Sequence, residues 1–148
     1  MNARLPVMPL IVLAALAACG PAAPDPAGLD YDADHPFLIT LGTAPNAVMD
    51  ALFQGRVVAD GQGCVRLDGA GQVTVVWPRR FSLERRSGTT LIKDADGRAI
   101  GTIGGHFRLG GGEVPSLHPG IPLVGGTREE AMRRCPGLFW IVGTIPRD

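Results

Sequence analysis

Lysine is almost missing from this chain, with Lys93 the only one, so arginine carries nearly all of the positive charge. The 14 basic and 14 acidic residues cancel to a formal net charge of +0, which removes the electrostatic footprint expected of a nucleic-acid binder. Serine is scarce as well. Ser82, Ser87 and Ser116 are the only three, none sits in a Gly-x-Ser-x-Gly elbow, and no pair of carboxylates stands out for acid and base roles. The triple glycine Gly110 to Gly112 is followed by neither the lysine nor the hydroxyl of a phosphate loop. These gaps argue against an enzyme. No Cys-x-x-Cys occurs, and the three histidines, His35, His106 and His118, lack paired ligand spacing, so no metal site and no bound cofactor are expected. A periplasmic metal-binding role for His106 and His118 stands as the alternative reading.

Long apolar runs are also absent. The one from Leu5 to Leu16 is interrupted by Pro6 and Pro9 and falls short of the roughly 20 residues that span a bilayer. It follows a short polar start with Arg4 and ends in two alanines and a cysteine, the layout of a secretory signal. The stretch Leu16-Ala17-Ala18-Cys19 resembles the lipobox of bacterial lipoproteins at all four positions. That resemblance implies removal of residues 1–18, a diacylglyceryl thioether on Cys19 and an N-acyl chain on its freed amine. Gly20 follows, and by the same resemblance the lack of an aspartate there points to the outer membrane, with the domain on its periplasmic side. Plain secretion with Ala18 as the cleavage site is the competing reading.

Residues 19–36 form a tether. Prolines at positions 21, 24 and 26 stiffen it towards polyproline II, and it holds too little apolar surface to fold by itself. Its Asp30-Tyr31-Asp32-Ala33-Asp34 patch opens like a calcium loop. His35 then stands where glycine is required and Leu41 where glutamate should close the shell, which favours a solvated linker.

Residues 37–148 suit one small domain with one core. Pro45 to Gln54 reads either as a brief helix or as irregular chain leading into a strand. Beyond Gly55, strand-length apolar segments recur between Asp60-Gly61, Asp68-Gly69, Ser87-Gly88 and Asp96-Gly97, all pairs that favour tight turns. The segments are Arg56 to Ala59, Cys64 to Leu67, Val73 to Trp77, Thr89 to Lys93, Arg98 to Ile103, His106 to Leu109 and Leu138 to Gly143. Such spacing predicts an all-β fold, a five- or six-stranded OB-like barrel, with the glycines at 110–112 opening a long Gly/Pro loop. Thr127 followed by Glu130 is a capping pattern for one short C-terminal helix to about Arg134, stopped by Pro136-Gly137.

In an exported protein, Cys64 and Cys135 are the thiols left once Cys19 is acylated, and a pair there is expected to form a disulfide; a reactive thiol or metal ligation are the alternatives. Trp77-Pro78-Arg79-Arg80-Phe81-Ser82-Leu83-Glu84-Arg85-Arg86 sets four arginines around aromatic residues. Arg79, Arg80, Arg85 and Arg86 form a candidate anion-binding group for lipid phosphates or acidic glycans. The plainer reading is a solvated hairpin with Trp77 and Phe81 in the core. The series Gly63 to Leu67, Val76-Trp77-Pro78, Leu109 to Gly112 and Cys135 to Gly143 resembles an uncharacterised family of small envelope β-domain proteins, and implies paired cysteines without an established activity. The function expected is a lipid-anchored, non-catalytic binding or structural module. Its partner would be an envelope protein or glycan.

Overall fold

The structure, a computed structural model, describes residues 32–44, 49–124 and 128–146. The signal segment, Cys19, the tether as far as residue 31 and the expected cap Thr127 lie outside the described residues. In chain order the elements are β1 (Ile39–Leu41), β2 (Ala51–Ala59), β3 (Val65–Leu67), β4 (Val73–Trp77), β5 (Ser82–Arg86), β6 (Thr89–Lys93), β7 (Ala99–Thr102), β8 (His106–Val114), β9 (Leu123–Val124), α1 (Arg128–Arg134) and β10 (Leu138–Thr144).

The protein is all-β, with a closed five-stranded barrel and one short helix near the C-terminal end. Antiparallel ladders join β10 to β8, β8 to β2, β2 to β3 and β3 to β4, and β10 returns to β4 in parallel to close the ring. That closure explains the two most apolar runs of the domain. On β4, Val73, Val75 and Trp77 fill the barrel while Val76 points outward into a second apolar cluster. On β10, Trp140 and Val142 face in, and Phe139 and Ile141 face out. Both strands are covered on two sides, so the usual alternation of apolar and polar residues is lost.

The outer cover is made of β1, the loop 115–122 and α1, through Ile39, Leu41, Leu117 and Ala131. Between β4 and β8 the chain inserts a three-stranded sheet, β5-β6-β7. It plugs the end of the barrel where β4 and β10 finish and β8 starts. Ile92 is fully buried in the barrel cluster, Phe81 stacks on Trp77 with ring centroids 5.9 Å apart, and Phe107 meets Trp77 edge-on at 5.8 Å. The β5–β6 turn is a two-residue one with positive φ at both Ser87 and Gly88, the twist that a tight hairpin requires.

Two local expectations change. Ala51 to Gln54 is strand, neither a brief helix nor irregular chain, while residues 45–48 of that stretch lie outside the described residues; Ala51 to Gln54 take up register with Gly111 to Arg108 of β8, and cross-strand pairing overrides a local sequence with no clear period. The glycines at 110–112 do not open a loop but run through β8, where β10 lies too close for side chains at Gly110 and Gly111 and Met49 crowds Gly112. A Cβ on Gly111 would meet the Ile141 carbonyl, and one on Gly110 the Thr144 hydroxyl. The loop that follows is correspondingly shorter.

Candidate functional site

The loop from Asp60 to Cys64 and the segment after α1 meet at a cross-link between Cys64 and Cys135, whose Cα atoms are 5.6 Å apart. Beside it lies Arg66, 6% exposed on the outer side of β3. Its guanidinium donates to Asp60 Oδ2 at 2.6 Å, to Thr74 Oγ1 at 2.8 Å and to the Pro136 carbonyl at 3.0 Å. Asp60 Oδ1 in turn accepts the N–H groups of Gln62 and Cys64 at 2.9 Å each. Partial burial works against charge on Asp60, yet the bonds from Arg66, Cys64 and Gln62 together outweigh it and hold the carboxyl below the usual range. Covalent bond and ion pair pin the same seam between the start of β3 and the end of α1. Both sulfurs lie on fully buried residues.

The four arginines of the basic stretch do not form one group. Arg79 and Arg80 occupy the exposed turn before β5, where Arg80 takes a positive φ, while Arg85 and Arg86 stand at the hairpin tip, about 15 Å further along an extended strand. Arg85 bonds to the Asp34 carbonyl and lies 3.5 Å from its carboxylate, so Asp34 is held against the domain here. Glu84 pairs with Lys93 at 2.6 Å across the hairpin. Trp77 and Phe81 pack as core residues.

Within the acidic patch, Asp32 Oδ1 accepts the N–H groups of Asp34 and His35 at 2.8 Å each, and these backbone bonds, that of His35 first, hold its carboxyl below the usual range. The carboxylate caps its own turn. His106 begins β8 and His118 lies beyond the far end of the same nine-residue strand, where its Nδ1 accepts the Gly120 N–H at 3.1 Å. Among the described residues no group of three or more histidine, cysteine or acidic side chains could hold a metal ion.

A concave surface lies elsewhere, at the plugged end of the barrel. Residues Ile145 and Pro146, which follow β10, run between the β7 edge and the β2–β8 face and divide a depression into two hollows of about 630 and 480 Å³. The larger is lined by Phe81, Ile100 and Ile145 together with Asp94, Asp96 and Arg98. Asp94 is nearly buried and accepts the N–H groups of Asp96 and Arg98 at 2.9 Å each, which fixes the turn that carries them. The smaller carries Gln54, His106 and Arg108 over Phe107 and Ile100. The lining is mixed, with charges of both signs beside apolar side chains. This place has no local signature in the sequence, because its walls come from five separate segments.

No protein-family model, no curated protein and no solved structure matches this chain.

Proposed function

We propose that the protein is a lipid-anchored module of a bacterial cell envelope, acylated on Cys19 and held at the outer membrane with its barrel in the periplasm, where it binds or braces an envelope partner without catalysing a reaction. The observation that carries this reading is the division of the three cysteines. Cys64 and Cys135 bond to each other, which leaves Cys19, at the end of Leu16-Ala17-Ala18-Cys19, as the one cysteine the domain does not use. A buried disulfide also fits an oxidising compartment. The barrel supplies a rigid head, and a concave face lies among the β7 edge, β8 and the segment after β10.

The anchoring half of the reading is tested by replacing the sulfur. With Cys19→Ser, palmitate labelling and membrane partitioning are both lost while the unsubstituted protein retains them; a serine variant that still labels and partitions overturns it. Each buried methylene contributes about 0.8 kcal/mol, so several chains together hold where one would exchange.

A further inference from the structure

The segment after β10 lies on the domain as a ligand would. The β10–β8 ladder shifts register between Val142 and Thr144, so the chain leaves the barrel at a bulge and continues as Ile145-Pro146 beside Ile100 of β7. Both hollows are lined by Ile100, Ile145 and Pro146. They are two halves of one trough with this segment laid across it. Ile145 is half-buried against the barrel cluster, while Pro146 is exposed.

The trough follows the edge of a sheet. In the order β5-β6-β7 both outer strands are edges, but they are protected differently. On β5, Glu84, Arg85 and Arg86 place charges that discourage a further strand; β7 is Ala99-Ile100-Gly101-Thr102, neutral throughout and without proline. An edge strand without charge or proline, beside a trough of mixed polar and apolar lining, is the arrangement that accepts an extended polypeptide by strand addition, which satisfies backbone polar groups as well as side chains. The segment already seated there shows which side chains the trough takes.

We propose that the trough between β7 and the β2–β8 face is a binding site for an extended polypeptide carrying a branched apolar residue followed by proline, and that Ile145-Pro146 occupies it in cis as a displaceable strap. The occupant in trans is a segment of an envelope protein of that chemistry. It competes with a tethered segment whose effective concentration is of millimolar order, so it engages only where it is abundant or makes further contacts. The site depends on the domain alone and holds whether or not Cys19 is acylated; only the envelope source of its occupant rests on the proposed function.

The test uses the chain ending at Thr144 and a synthetic peptide, Gly-Thr-Ile-Pro-Arg-Asp, with the sequence of residues 143–148. The shortened chain is expected to keep its Cys64–Cys135 bond and a cooperative melt, and to bind the peptide at least tenfold more tightly than the intact chain does. Adding Ile100→Lys to the shortened chain, or changing the peptide's isoleucine to aspartate, abolishes that binding. A folded, shortened chain that ignores the peptide overturns the proposal, as does equal binding by both chains. Failure of the shortened chain to fold also overturns it, because a strap must be removable. In the intact chain, hydrogen exchange offers a second reading: the Ile145 amide exchanges at least a hundredfold faster than that of Val142, and equal rates contradict a strap.

Discussion

Arg66 and Asp60 meet at 2.6 Å across the turn that opens β3, with the arginine side chain 8% exposed and the aspartate 31%. Because Arg66 also holds Thr74 and the Pro136 carbonyl, its removal orphans three acceptors at once. Arg66→Ala is expected to destabilise the domain by about 3 kcal/mol, the lower end for a broken buried pair, since Asp60 keeps some contact with water. The denaturant midpoint of the variant against the parent measures it.

The same pair gives a pH dependence of definite sign. Asp60 is held below its ordinary value in the folded state, so its contribution is complete above the unfolded carboxylate range and is lost as pH falls through the lowered folded value. Stability should therefore decline on acidification from about pH 4. Asp60→Asn should be less stable at neutral pH and show a shallower acid decline.

The cross-link between Cys64 and Cys135 spans 71 positions of sequence. On the chain-entropy account, closing a loop of that length is worth about 4 kcal/mol. The double Cys64→Ala, Cys135→Ala variant should lose an amount of that order in equilibrium unfolding, and the parent should lose as much when unfolded and refolded under reductant.

Close approach of β8 and β10 makes Gly111 intolerant of any side chain. Gly111→Ala drives a methyl group towards the Ile141 carbonyl and should cost about 1–3 kcal/mol, the range for an overpacked interior. Gly61, with nothing within 4 Å of a Cβ, is the control, and Gly61→Ala should leave the melting temperature nearly unchanged.

Ile92 joins the three-stranded sheet to the barrel interior, so plug and barrel should unfold together. Ile92→Ala is expected to cost about 3 kcal/mol and to preserve a single transition. Two separated transitions in calorimetry would contradict a shared core.

These residues also show what could be read before the fold was known. Val73 to Trp77 and Phe139 to Val142 announce themselves because strands covered on both faces leave continuous apolar runs, and Asp-Gly and Ser-Gly pairs mark turns through the backbone they allow. The helix at Arg128–Arg134 follows from Glu130 near its start and Pro136 beyond its end. Ala51 to Gln54 and the glycines of β8 were misread for one reason: their conformation is set by each other and by β10, not by neighbours in sequence. Arg66 was equally opaque, because its partners lie six, eight and 70 positions away. A charged residue between Val65 and Leu67 in a short apolar strand was the available hint. The basic stretch looked continuous only in sequence; β5 carries its two arginine pairs to opposite ends.

The central claim, that a sulfur outside the barrel ties this domain to a membrane, is tested most directly by intact mass spectrometry of the protein extracted from the envelope of the cells that make it. The account predicts a chain beginning at Cys19, heavier than its sequence by a diacylglycerol and one further acyl group, with Cys64 and Cys135 still joined. A chain without acyl groups, or one that retains residues 1–18, would contradict it.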